Sequence, residues 1–258
     1  ISGKFSVGKT TLGLHIVANA QKKGIPCLWA DTEFAWENRY ARSLGVDTDA
    51  LDLSQEEFAE DILQAIEEWA RDTKNSLIVL DSVGALLPRE QAEKATGERV
   101  IGGQAKLVSV FVRKMTPILA INNIALVVLN HVFLDIMGGN LTTSGGWKLD
   151  YQKSIEVRLS KTKNVLKQSE TIIGRQIEAR IVKNKLAGSQ EKECTLNLIY
   201  GTGFSVEADL LEGALDKGII TKKGAQFFMD GQKLAFGQTK MRELLKDETF
   251  AAKLKAKL

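Results

Sequence analysis

Residues 3–10 read Gly-Lys-Phe-Ser-Val-Gly-Lys-Thr, a complete G-x-x-x-x-G-K-[ST] run, and the Thr11–Ala18 stretch behind it is helix-forming. This pattern dictates a strand-loop-helix geometry, because each fixed position has a physical task. Gly3 and Gly8 take backbone conformations closed to other residues and let N–H groups approach a phosphate. Lys9 places a point charge near β- and γ-phosphates, and Thr10 supplies a hydroxyl for Mg²⁺. The phosphates then sit at a helix N-terminus, where unpaired N–H groups point at the anion. A chance glycine turn would not supply four matched positions with a helix behind them. Such a loop ordinarily follows a buried strand. Only Ile1 and Ser2 precede it and there is no initiator Met, so upstream residues are expected to be missing.

The rest of the chain reads as alternating strands and helices. Ile25–Ala30, Leu77–Leu80 and Ile124–Leu129 are continuous apolar runs, the pattern of strands covered on both faces. Helices are expected after Lys9, over Trp36–Leu44, from a Ser54-x-x-Glu57 capping box to about Arg71, and over Gly103–Asn122, where Pro117 should kink or interrupt the helix. This alternation implies a mostly parallel sheet flanked by helices. From about residue 155 the pattern changes to period two, in Ile155–Leu159, Ile177–Ile181 and around Leu196–Tyr200, which predicts an antiparallel extension with one wet face. A small α+β tail follows: a helix over Glu207–Lys217, a short strand at Phe227–Met229 and a helix over Met241–Leu258. The expected organisation is α/β, with a P-loop core over 1–203 and a small C-terminal α+β domain over 204–258.

Composition limits the function classes. With 258 residues and 44% apolar content the chain can bury a real core. No apolar run approaches a membrane span and no signal peptide is visible, so a cytoplasmic protein is expected. Cys27 and Cys194 form no C-x-x-C pair and read as buried thiols. Two histidines, His15 and His131, exclude a His-rich metal site. The net charge of +3 is too small to announce nucleic acid, but it is unevenly spread. Asp47–Asp72 holds ten acids and one base, and Lys148–Glu193 eleven bases and six acids. That asymmetry suits a polyanion-binding face as well as a merely solvated one.

The chemistry-bearing residues fall at strand ends. Asp81 follows Leu77–Leu80, where a carboxylate beside the P-loop strand holds Mg²⁺ directly or through water, and Ser82 can join that water network. Glu33, just past the second strand, can orient and activate a water; Asp31 is the rival, and a helix-start acid is the plain alternative. Tyr40 can stack on adenine or simply pack its helix. His131 ends the Val127–Asn130 strand and can touch the γ-phosphate or cap structure. Lys106, Ser109 and Arg113 share one helix face and suit a phosphate backbone. The segment 132–146 carries Met137-Gly138-Gly139-Asn140 and Thr142–Gly146, glycine-rich enough to grip phosphates without reading bases. Lys183 and Lys185 lie on one side of a strand and can serve a neighbouring copy's γ-phosphate.

On these residues the chain resembles the RecA recombinase family, nearly end to end. The carriers are Gly3–Thr11, Trp29–Glu33 with Tyr40-Ala41-Arg42 and Leu44-Gly45-Val46, Leu80-Asp81-Ser82-Val83, Thr142–Gly146, Val182–Lys185 and Leu198–Gly201. Gly218-Ile219-Ile220 and Gly237-Gln238 resemble that family's C-terminal domain. The resemblance implies that Gly3, Lys4, Phe5, Ser6, Val7, Gly8, Lys9, Thr10 and Thr11 bind ATP, that Thr10 and Asp81 hold Mg²⁺, and that Glu33 and Lys9 are catalytic. Tyr40, Ser82 and His131 would complete the nucleotide site, with Lys183 and Lys185 acting across a subunit boundary. Lys106, Ser109, Arg113, Gly145 and Gly146 would touch DNA. The implied partners are single-stranded and duplex DNA and further copies in a helical filament, with no membrane. The implied activity is DNA-dependent ATP hydrolysis with homologous pairing and strand exchange.

The chain departs from the family pattern at four places. His131 stands where glutamine is usual, the second loop is shorter, Trp147 replaces an asparagine, and Asp150 stands where lysine is common. The competing readings are an ATP-switched assembly protein without strand exchange and a hexameric helicase on the same core.

Overall fold

The computed structural model describes residues 1–95, 102–134, 141–168, 170–186 and 192–258. In chain order the elements are β1 (Ser2–Gly3), α1 (Lys9–Gln21), β2 (Cys27–Asp31), α2 (Asn38–Ser43), β3 (Leu51–Ser54), α3 (Ala59–Asp72), β4 (Leu77–Asp81), α4 (Arg89–Ala92), α5 (Gly103–Asn122), β5 (Ala125–Leu134), β6 (Leu141–Thr143), α6 (Gly146–Gln152), β7 (Ile155–Gln168), β8 (Thr171–Asn184), β9 (Glu193–Ile199), β10 (Gly203–Phe204), α7 (Val206–Asp216), β11 (Ile220–Lys223), β12 (Gln226–Met229), β13 (Gln232–Phe236), α8 (Gln238–Leu245) and α9 (Glu248–Lys255). They group into two compact units, residues 1–162 with 177–194, and residues 163–176 with 195–258.

In the first unit the strand order is β8-β7-β1-β5-β4-β2-β3, with β6 pairing β5. The pairs among β1, β2, β3, β4, β5 and β7 are parallel, and β6 runs antiparallel to β5. Every residue of β2 and β4 is buried, as a strand covered on both faces requires. Alternate side chains feed two cores. Leu28, Ala30, Ile78 and Leu80 pack with Ile62 and Ile66 of α3 and Phe111 and Met115 of α5. Cys27, Trp29, Leu77 and Val79 pack on the other face with Leu14 and Val17 of α1. Each such side chain fully removed from water contributes roughly 1.5–3 kcal/mol. β1, two residues long, threads between β5 and β7 with Gly3 opposite both His131 and Leu159. A Cβ on Gly3 would lie 2.7 Å from the Leu159 carbonyl oxygen and 2.7 Å from Val7, so no larger residue fits the start of the P-loop.

The structure corrects several local expectations. The Ser54–Glu57 capping box does not form. Ser54 closes β3, paired with Ala30, and α3 begins at Ala59 without a side-chain cap. Strand pairing takes Ser54 away from the helix, and Glu60 and Asp61 in the first turn supply the charge that favours its N-terminus. α5 runs uninterrupted past Pro117. One backbone bond is removed, but the buried face Val108, Phe111, Val112, Met115 and Ile118 continues across it. α2 starts at Asn38 rather than Trp36, because the Glu37 carboxylate caps it by accepting from the N–H groups of Arg39 and Tyr40. Cys27 is buried, which pushes its thiol up to about 11, whereas Cys194 is exposed because only the far half of β9 is covered.

In the second unit β9 pairs antiparallel with β10, and β11, β12 and β13 form a separate antiparallel sheet. Only the middle of those three strands was expected. Its core joins Leu211, Ala214, Ile220, Phe227, Met229, Met241 and Leu254. The expected single helix over Met241–Leu258 is two helices, because Asp247 caps α9 by accepting from the Phe250 N–H at 2.8 Å. Among the described residues no helix is long and apolar enough to cross a membrane.

Candidate active site

The carboxyl ends of β1, β2, β4 and β5 meet over the N-terminus of α1, the crevice where parallel sheets bind ligands. Gly8, at φ 87°, caps α1, and Ser6 is also left-handed at φ 53°. Successive backbone N–H groups around such residues form an anion-binding concavity. Lys9 is 7% exposed. Its ammonium folds back on the loop, donating to the carbonyls of Gly3 at 3.2 Å and Lys4 at 3.0 Å. Burial lowers its pKa, against the attraction of Asp81 and Glu33. An ammonium short of hydration inside a glycine-rich turn has its strongest available partner in an incoming phosphate.

Glu33 and Asp31 are distinguished by their partners. Asp31 is 2% exposed and accepts from the Glu33 N–H at 3.1 Å, the Trp36 N–H at 2.9 Å and the Gln55 side chain at 2.8 Å. Its oxygens shape the turn after β2. Glu33 projects beyond that turn. Its Oε1 accepts from the Ser82 hydroxyl at 2.6 Å and faces His131 Nε2 at 3.1 Å. Burial raises the Glu33 pKa, but Ser82, His131 and Lys9 together outweigh it and leave the carboxyl below its ordinary value, ionised and able to act as a base. The plain alternative of a helix-start acid is not realised, since Glu37 caps α2.

His131 joins both ends of this site. Its Nδ1 lies 3.5 Å from Lys9 Nζ and its Nε2 3.1 Å from Glu33. Lys9 can only donate, so the consistent tautomer accepts at Nδ1 and donates from Nε2. Ser82 is fully buried and is fixed by Thr32, whose hydroxyl donates to the Ser82 carbonyl at 2.7 Å and accepts from its N–H at 2.8 Å. Sequence reasoning missed Thr32, and no local signal marks it, because its partner lies 50 residues away. Tyr40 meets the Thr11 hydroxyl at 2.8 Å, which places its ring beside the start of α1.

Thr10 and Asp81 are the residues with which Mg²⁺ fits. The Thr10 hydroxyl donates to Asp81 Oδ2 at 2.8 Å. No group of three or more His, Cys, Asp or Glu able to hold a metal occurs among the described residues, which suits a cation completed by phosphate oxygens and water. Burial pushes Asp81 up to about 6, with the Thr10 hydroxyl and Lys9 opposing and Glu33 and Asp31 adding repulsion. The folded state therefore holds this proton more tightly than the unfolded chain does. The stability it contributes is complete below the ordinary value of 3.8 and is lost as pH rises through about 6. Without divalent cation, Asp81→Asn should be more stable than wild type at neutral pH by on the order of 2–3 kcal/mol, with the difference closing by about pH 4. Denaturant unfolding across that range checks this, and equal stability at neutral pH contradicts it.

The other expected residues lie apart from this cluster. Lys183 donates to the carbonyls of Asp150 at 2.5 Å and Tyr151 at 3.2 Å, and Lys185 donates to Tyr151 at 2.6 Å. Both ammoniums thus cap the negative end of α6. Lys106 and Arg113 are exposed on α5, with Ser109 half-buried between them. The glycine-rich segment is more regular than expected. Thr142 and Thr143 belong to β6, and Gly145 and Gly146 start α6 against neighbouring elements. A Cβ on Gly145 would lie 2.9 Å from Val83, and one on Gly146 3.0 Å from Ala105. The Met137–Asn140 stretch and residues 96–101 of the first loop lie outside the described residues.

Fold and site together define a P-loop nucleoside triphosphatase. The family model of the RecA N-terminal domain matches residues 1–205. The chain is 36% identical over 263 residues to Protein RecA of Nitratidesulfovibrio vulgaris (strain Miyazaki F), covering 100% of this chain and 73% of that one. It is 38% identical over 250 residues to Protein RecA of Geobacter sulfurreducens, covering 96% and 73%. With Protein RecA of Campylobacter fetus it shares 37% over 251 residues, covering 96% and 72%. The chain belongs to the RecA family.

Proposed function

We propose that this protein binds ATP between adjacent copies in a filament on single-stranded DNA, and uses its hydrolysis in homologous pairing and strand exchange. At the coarser level, membership in the family makes the chain an ATP hydrolase of DNA recombination and repair. The observation that carries the finer reading is the Lys9–His131–Glu33–Ser82 cluster, with a phosphate-binding ammonium at one end and a water-orienting carboxylate at the other.

The loop Gly3–Val7, Gly8, Lys9, Thr10 and Thr11 would cradle the phosphates, with Tyr40 beside the base. Thr10 and Asp81 would hold Mg²⁺, which bridges phosphate oxygens and offsets their charge. Glu33 takes the proton of the attacking water, and Ser82 and His131 hold its carboxylate in place. Lys9 stabilises charge on the phosphate oxygens. His131 is placed to register a change at either end, since it spans both. Lys183 and Lys185 would leave α6 to meet the phosphate of a neighbouring copy. Lys106, Ser109, Arg113, Gly145 and Gly146 would contact DNA backbone, single-stranded or duplex. The core would end near residue 203, with 204–258 as a small C-terminal domain, in a cytoplasmic protein. An assembly protein without strand exchange is not favoured.

ATP turnover with and without single-stranded DNA tests this reading. Strong stimulation, accompanied by filaments in electron micrographs with a non-hydrolysable ATP analogue, is the expected result. Nucleotide binding with no stimulation would overturn it.

A further inference from the structure

A second hydrogen-bonded chain runs beneath the site and has no part in the chemistry above. Glu156, 6% exposed at the start of β7, accepts from the Ser2 hydroxyl at 2.7 Å and from Arg158 at 3.2 Å. Ser2 is the residue before Gly3, in a strand of two residues, so its position sets that of the P-loop. Glu156 also pairs with Lys153. Lys153 in turn donates to Asp150 Oδ1 at 2.8 Å. The same Asp150 oxygen accepts from the Thr143 hydroxyl at 3.2 Å. Thr143 lies in β6, paired with Val132, the residue after His131. The backbone carbonyl of Asp150 accepts from Lys183. The relay Ser2–Glu156–Lys153–Asp150–Thr143 thus ties the strand before the P-loop to the stem of the segment after β5.

One ammonium serves two carboxylates in this relay. Glu156 is buried and depends on Lys153 and Arg158 to offset its desolvation. The Asp150 side chain is 46% exposed and can be solvated instead. The link to Asp150 is therefore the weak one. A polyanion arriving at the segment repels Asp150 and competes for Lys153, which alters how Glu156 holds Ser2.

We propose that Asp150 is a positioning residue that transmits occupancy of the β5–α6 segment to the phosphate-binding loop. This rests on the reading that the segment contacts DNA and the loop binds ATP. Asp150 touches neither nucleotide nor reacting atoms, and it lies at the surface, so its replacement leaves the buried Glu156–Lys153–Arg158 group paired.

The test is ATP turnover of Asp150→Ala, Asp150→Glu and the double variant Asp150→Ala/Lys153→Met in the full chain, each with and without single-stranded DNA. Asp150→Ala should keep DNA-free turnover within about twofold of wild type and lower the DNA stimulation by roughly three- to tenfold. Asp150→Glu should restore the stimulation, and adding Lys153→Met to Asp150→Ala should lower it little further, as residues in series behave. Undiminished stimulation in Asp150→Ala overturns the inference. So does a parallel fall in both rates, or losses that add in the double variant. Absence of stimulation in the wild type would overturn the DNA-dependent reading itself and this inference with it.

Discussion

Lys9→Ala is expected to abolish ATP turnover, lowering kcat by at least about 10²–10³-fold, the range for removing one electrostatic contact to developing charge. The size follows from the setting. Lys9 is buried and already bonded to loop carbonyls, so it needs no ordering when the phosphate arrives. Its loss also releases His131 Nδ1, 3.5 Å away, from its cationic neighbour. Nucleotide affinity should fall as well, because a ground-state contact disappears together with the transition-state one. Steady-state hydrolysis and titration calorimetry with magnesium measure the two effects separately. Residual turnover above about a tenth of wild type would remove Lys9 from the centre of the chemistry. The variant should remain folded, since no buried anion is left bare: Asp81 keeps its Thr10 partner and Glu33 its Ser82 partner.

Glu33→Gln should separate binding from hydrolysis. Glutamine keeps an oxygen that accepts from Ser82 and His131 but cannot take a proton from water. Loss of general-base action lowers turnover by about 10²–10⁴-fold. Affinity for ATP should be retained or rise, because a negative charge leaves the neighbourhood of the phosphates. The same charge raises the Asp81 pKa, so the variant should also ionise Asp81 at lower pH. That second readout separates loss of a base from general damage to the site. Wild-type turnover in Glu33→Gln would transfer the water-activating role to another group.

The two predictions concern residues that the sequence resolved unequally. Lys9 is marked by its own neighbours, since the spacing from Gly3 to Thr10 lies within one loop. Glu33 was one of two carboxylates separated by a single residue. The choice required knowing that Asp31 is committed to two backbone N–H groups and Gln55. The misread elements show the same limit. Ser54 looks like a cap until β3 pairs with β2, and Pro117 looks like a break until the packing of α5 holds across it. In each case a local preference worth about 1–3 kcal/mol meets a long-range pairing or a buried face worth more.

By itself the sequence determined the phosphate loop, the acid at the end of β4, the buried parallel strands and the change to alternating strands after residue 155. Each of these is written in contiguous residues, where spacing and periodicity act directly. Tertiary structure alone decided that His131 lies between Lys9 and Glu33, that Thr32 fixes Ser82, and that Asp150 and Lys153 link Thr143 to Ser2 through Glu156. Those contacts join strand ends far apart in the chain. Their geometry follows from the order and register of the sheet, which no single segment encodes.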